Sequence, residues 1–133
     1  MSNEIKLTMK LSVLNGDYNQ EVNPGLIQID QTTQGACGGI VEIGTEEETL
    51  EFLDIATEGY LYLRNLDDTN YVTYGPDYAG LVAFGKLKAG EWALLRLAPF
   101  EEEGSGSGAP TYGSIALQAN TSPCKVKYLL LDN

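Results

Sequence analysis

The chain contains no histidine. That removes the commonest general base and the commonest transition-metal ligand. Cysteine is nearly absent too: Cys37 and Cys124 are the only two, and they do not form a Cys-x-x-Cys pair, so a zinc centre would lack its usual ligands. Neither Gly-x-x-x-x-Gly-Lys-Ser/Thr nor a strand-linked Gly-x-Gly-x-x-Gly occurs, and with them go the standard phosphate cradles. No apolar run approaches the ~20 residues that span a bilayer, so no membrane partner is expected. Met1-Ser2-Asn3-Glu4 lacks the basic and apolar regions of a signal peptide. The expectation is therefore an unsecreted chain whose thiols stay reduced, although the two cysteines could pair if their Cα atoms came within about 7 Å.

Positive charge is scarce. Eight basic residues stand against 19 acidic ones, a formal net charge of −11. Such a field repels phosphate backbones. The cations (Lys6, Lys10, Arg64, Lys86, Lys88, Arg96, Lys125 and Lys127) are scattered along the sequence, so no nucleic-acid partner is expected. The acid suits solubility or docking on a basic partner.

Glu46 to Glu48 and Glu101 to Glu103 are runs of like charge, which usually belong to solvated surface. A glycosidase holds two carboxylates roughly 5 to 10 Å apart across a cleft, and 133 residues leave little room for one. The expectation is no enzyme, with no catalytic residues, no cofactor and no metal. Asn65, Asp67, Asp68 and Asn70 offer oxygens of the kind calcium takes. They lack the glycine and distal glutamate of an EF-hand, and such a stretch also serves as a turn whose side chains satisfy their own backbone.

What is abundant is alternation. Ile5, Leu7, Met9, Leu11 and Val13 alternate with polar residues from Glu4 to Ser12, predicting one strand with a buried and a wet face, closed by a turn at Asn15-Gly16. Pro24-Gly25 opens a second strand, Leu26 to Thr32. Gly35-Ala36-Cys37-Gly38-Gly39 reads as flexible or closely packed, and Ile40 to Ile43 as a short strand. Thr45 to Glu48 has capping-box spacing, but no apolar stripe follows, so at most a helical turn is expected. Further strands are predicted at 59–64, 71–74, 81–84, 92–97, 114–119 and 125–131. The Gly- and Ser-rich stretch 104–110 reads as a flexible loop within the domain. Eight or nine short antiparallel strands predict one all-β domain over 1–133, a β-sandwich of jelly-roll type.

Two segments suggest a contact surface. If Leu61 and Leu63 face the core, Tyr60, Tyr62 and Arg64 face outward, a composition enriched at interfaces. In the last strand Lys125 and Lys127 share a face, and Leu129 and Leu131 continue it. Exposed apolar residues there would mark self-association, which loss of Leu129 and Leu131 should weaken. Tyr60, Tyr62, Tyr71, Tyr74, Tyr78 and Trp92 also cluster in the middle third. Tyrosine-rich sheets bind sugars or proteins as well as filling cores.

The stretch Gly59-Tyr60-Leu61-Tyr62-Leu63-Arg64-Asn65-Leu66-Asp67-Asp68-Thr69-Asn70-Tyr71-Val72 resembles a pattern in small virion proteins of tailed bacteriophages. So do Lys88-Ala89-Gly90-Glu91 with Trp92 to Pro99, and Val126 to Leu131. The resemblance covers about half the chain. It implies a capsid decoration, cement or neck- and tail-associated protein, located in the virion and assembled in the host cytoplasm. Its expected partners are further copies of itself, a trimer being favoured, and the major capsid or another virion protein. The alternative is a carbohydrate- or receptor-binding module of a tail or fibre. Fold alone does not separate the two.

Overall fold

A computed structural model of the chain describes residues 3–31, 35–50, 58–98 and 114–133. By its contacts the chain divides into two compact units, Met1–Thr33 and Gln34–Asn133.

The first unit is built from two antiparallel ribbons. Strand β1 (Ile5–Leu7) pairs with β4 (Ile27–Ile29), Ile5 lying opposite Ile29 and Leu7 opposite Ile27. The Asp30 carboxylate accepts the Asn3 N–H at 2.6 Å, and Glu4 accepts the Gln31 N–H at 3.1 Å. Between them β2 (Leu11–Asn15) and β3 (Tyr18–Val22) form a hairpin. Its two-residue loop puts Gly16 at a φ of 59°, the conformation a tight hairpin asks of its first central residue.

The single strand expected over residues 4–13 is thus two. Residues 5–7 and 11–15 pair with different partners, so the chain changes ribbons at Thr8 to Lys10. Ile5 is buried, whereas Leu11 and Val13 are exposed. A two-stranded ribbon has no second layer of its own to cover its apolar face.

The second unit is an antiparallel β-sandwich. Its strands are β5 (Ala36–Ile43), β6 (Glu48–Thr49), β7 (Glu58–Asn65), β8 (Val72–Pro76), β9 (Gly85–Leu87), β10 (Trp92–Arg96), β11 (Ile115–Ala119) and β12 (Cys124–Asp132). One sheet has the order β10-β7-β12-β5 and the other β6-β11-β8-β9. The pairing is nested: first strand with last, second with seventh, third with sixth, fourth with fifth.

Alternation fixes the core. Leu61 and Leu63 of β7, Val126 and Leu130 of β12, Val72 of β8 and Leu117 of β11 are fully buried and pack in one cluster between the sheets. Each such side chain contributes roughly 1.5–3 kcal/mol on leaving water. Gly38 packs closely: a Cβ there would stand 2.8 Å from the Tyr128 carbonyl and 3.1 Å from Leu129 Cδ1.

No helix occurs among the described residues. Glu48 accepts the Gly44 N–H at 2.5 Å, a capping-type bond at a bend leading into β6. The strand expected at 81–84 is instead a connection between β8 and β9, with Val82 and Phe84 exposed. Gly75 lets that connection lie against β8: Val82 N–H donates to Pro76 O and Phe84 N–H to Tyr74 O, each at 3.0 Å, where any Cβ on Gly75 would collide with Val82 O. The flexible loop expected at 104–110, with Glu101 to Glu103, lies outside the described residues.

Cys37 lies opposite Leu130, and Cys124 opposite Ile43. Six residues of β12 separate those rungs, roughly 20 Å at strand rise, far beyond disulfide reach. The two thiols are not joined in a disulfide.

Candidate interaction surface

The residues singled out in β7 and β12 converge on one surface. Leu61 and Leu63 do face the core, so Tyr60, Tyr62 and Arg64 project from the opposite side of the sheet, as expected from alternation. In β12 Lys125, Lys127, Leu129 and Leu131 project from that same side, opposite buried Cys124, Val126 and Leu130. Because β7 and β12 are neighbours, the two predicted patches are one.

Cross-strand register extends the face into rows. Trp92 lies opposite Arg64, which lies opposite Lys127, which lies opposite Ile40. The next row runs Leu94, Tyr62, Leu129 and Gly38. Gly38, without a side chain, leaves Leu129 room across β5. At the far end Arg96 lies opposite Tyr60, with its guanidinium 4.9 Å from the ring centroid, a cation–π distance. A register shift between Leu130 and Asp132 sets Leu131 off from this row, opposite Ala36 on β5. Ile40 is 63% exposed and Trp92 55%, with Leu94 and Leu129 also open to solvent.

Sequence reading missed two things here. Trp92, Leu94, Arg96 and Ile40 join the face because β10 and β5 flank β7 and β12, a pairing no local pattern announces. Four of the eight cations, Arg64, Arg96, Lys125 and Lys127, stand on this one face, where Glu42 lies opposite Lys125. They are scattered in sequence and gathered in space.

The tyrosine cluster divides. Tyr60, Tyr62 and Trp92 belong to the face; Tyr74 is buried and meets Phe84 edge-on at 5.6 Å; Tyr71 lies under Lys86 at 4.1 Å; Tyr78 is exposed in the 77–84 connection.

The stretch Asn65 to Asn70 is a self-satisfied turn. Asp67 accepts N–H groups from Asn70 at 2.6 Å and Thr69 at 3.0 Å, and these bonds hold its carboxyl below the usual range. The Asn65 side chain is wholly buried, donating to Asn70 O at 2.8 Å and Leu87 O at 3.1 Å while accepting the Asp67 N–H at 3.0 Å. Asn65 Oδ1 and Asp67 Oδ2 are thus committed to backbone donors, Asn70 Oδ1 accepts the Thr121 hydroxyl at 2.9 Å, and no group of three or more His, Cys, Asp or Glu side chains placed to hold a metal occurs among the described residues.

A cavity of about 180 Å³ opens at the other end of the sandwich, lined by Glu58, Tyr74, Phe84, Leu95, Leu97 and Ile115 among others. Burial pushes the Glu58 carboxyl from its ordinary 4.5 up to about 7. It is the one carboxylate among the described lining residues, so it has no acid–base partner there. Between those two pH values the folded chain keeps a proton that the unfolded chain has released, so stability falls as pH rises from about 4.5 to about 7. Glu58→Gln should raise the melting temperature at pH 8 and flatten its decline between pH 5 and pH 8. Parallel pH profiles for the two proteins would refute this.

No family model, curated protein or solved structure matches the chain.

Proposed function

We propose that the chain is a non-enzymatic structural protein of a bacteriophage particle, a capsid decoration or cement protein that acts through protein–protein contacts, self-assembled as a trimer. One observation carries this reading: the outward face of β10-β7-β12-β5 sets Trp92, Leu94, Leu129 and Ile40 in solvent around a half-buried Tyr62 on contiguous rows. Contiguous exposed apolar surface of this kind marks contact sites, and Trp, Tyr and Arg are the residues that dominate interface energetics. The nested strand order supports reading the sandwich as a jelly roll, an architecture shared by capsid and lectin domains.

The test is particle composition. Intact particles purified from an infected host should carry the chain at a stoichiometry near that of the major capsid protein, and stripping it should lower their resistance to heat. Particles lacking it would overturn the reading. A second reading, a carbohydrate- or receptor-binding module, draws on the open Trp92 ring beside Arg64. Glycan-array binding lost in Trp92→Ala would favour it.

A further inference from the structure

We infer that this sheet face docks head-to-tail on a second copy of the chain, against the surface formed by the 77–84 connection and the 44–48 bend. This rests on the structural-protein reading and names the contact that builds its oligomer. Among the described residues the face is positive, with Arg64, Arg96, Lys125 and Lys127 against Glu42, in a chain of net charge −11. The opposing surface is another exposed apolar patch of the same unit, and its charge is opposite. Tyr78, Val82 and Phe84 are exposed there, Phe84 by 68%. Glu46, Glu47 and Glu48 are exposed on the adjoining bend. Glu47 ties the two segments into one surface by accepting the Leu81 N–H at 3.1 Å, and its carboxylate lies 3.3 Å from where a Gly80 Cβ would stand. Residues 44–49 and 77–84 hold no lysine or arginine.

Charge decides the geometry. Packing the sheet face on its own copy about a two-fold axis would set arginines and lysines against each other, and like charges across an interface cost several kcal/mol. Turned to the acidic patch, the same cations meet carboxylates around apolar centres on both sides. The two patches of one copy cannot meet, because the face lies on the outside of one sheet and the 77–84 connection belongs to the other. The contact is therefore heterologous, and such contacts generate closed rings when the rotation closes.

Sedimentation of the full chain tests this. The unmodified protein should exceed the 14.4 kDa of a monomer, and its association should weaken as salt rises from about 0.05 to about 0.5 M and screening shortens. Arg64→Glu with Lys127→Glu should give a monomer, as should Glu46→Lys with Tyr78→Lys; all four sites are exposed, and circular dichroism checks that each variant is folded. Mixing the two variants restores one unmodified contact per pair, so complexes heavier than the monomer should form. An unmodified chain that stays monomeric, association that strengthens with salt, or a mixture that stays monomeric would each overturn the inference. So would retardation of a single-stranded oligothymidylate lost in the Arg64→Glu, Lys127→Glu variant, which would give the face to nucleic acid. Monomers in solution that still load onto particles would sink the head-to-tail contact alone; oligomers never found on particles would sink the virion reading alone.

Discussion

Asn65→Asp should destabilise the fold by about 3 kcal/mol or more, because two buried carbonyls would lose their donors and an ionisable group would enter the core. The substitution preserves shape, so packing is not at issue. In the native chain the Asn65 amide donates to Asn70 O and Leu87 O and accepts from Asp67 N–H, while its own backbone bonds to Glu91 O and Gly90 N–H. The side chain thus ties β7 to the 66–70 turn and to β9, and the backbone of the same residue ties it to the 88–91 turn. Aspartate offers acceptors where two donors are required. Since domains of this size are stable by only about 5–15 kcal/mol, the loss should appear as a large fall in the urea midpoint at unchanged slope. Asp67→Asn, at a turn open to solvent, should cost far less. An Asn65→Asp midpoint close to the native one would contradict this account of the junction.

Gly75→Ala should be nearly as damaging, for a steric reason. The added methyl would occupy the space of Val82 O, and a backbone carbonyl cannot rotate aside as a side chain would. Relief requires the 77–84 connection to lift from β8, breaking the Val82–Pro76 and Phe84–Tyr74 bonds and uncovering Tyr74. Overpacking of this kind costs about 1–3 kcal/mol, to which the broken bonds add. Chymotrypsin should then cut at Tyr78 or Phe84 under conditions that leave the native chain whole. Gly39→Ala is the control: no atom lies within 4 Å of its Cβ site, so its stability should be unchanged. Equal protease resistance in both variants would show that the connection does not depend on Gly75.

These two positions also mark where sequence reading stops. The strands at 58–65, 92–96, 115–119 and 124–132 were legible because each buries one face, and burial writes a period of two into the residues. The outward set of Tyr60, Tyr62 and Arg64 followed from Leu61 and Leu63, and the Asn65–Asn70 turn from its Asx chemistry. Strand β3 was not legible: Tyr-Asn-Gln-Glu-Val is exposed along its whole length, so no burial pattern was imposed. The apolar run 81–84 misled for the opposite reason, since it resembles a core strand and lies on the surface. The convergence of β5, β7, β10 and β12 depends on pairing between residues as far apart as Ala36 and Leu131, which no local window reports. The cation cluster was hidden for that reason.

The central place of β12, between β5 and β7, dictates an order of events during synthesis. The first strand of the sandwich has no ladder to join until the last one has left the ribosome, and the third has only β10, so a nascent chain carrying β5 to β11 holds its leading sheet open. Closure of contacts this distant is slow, and the unpaired edges of β5 and β7 are exposed to other chains while they wait. Chaperone capture or aggregation of ribosome-stalled chains should accordingly persist until residues 124–132 emerge, then cease within a few residues of added length.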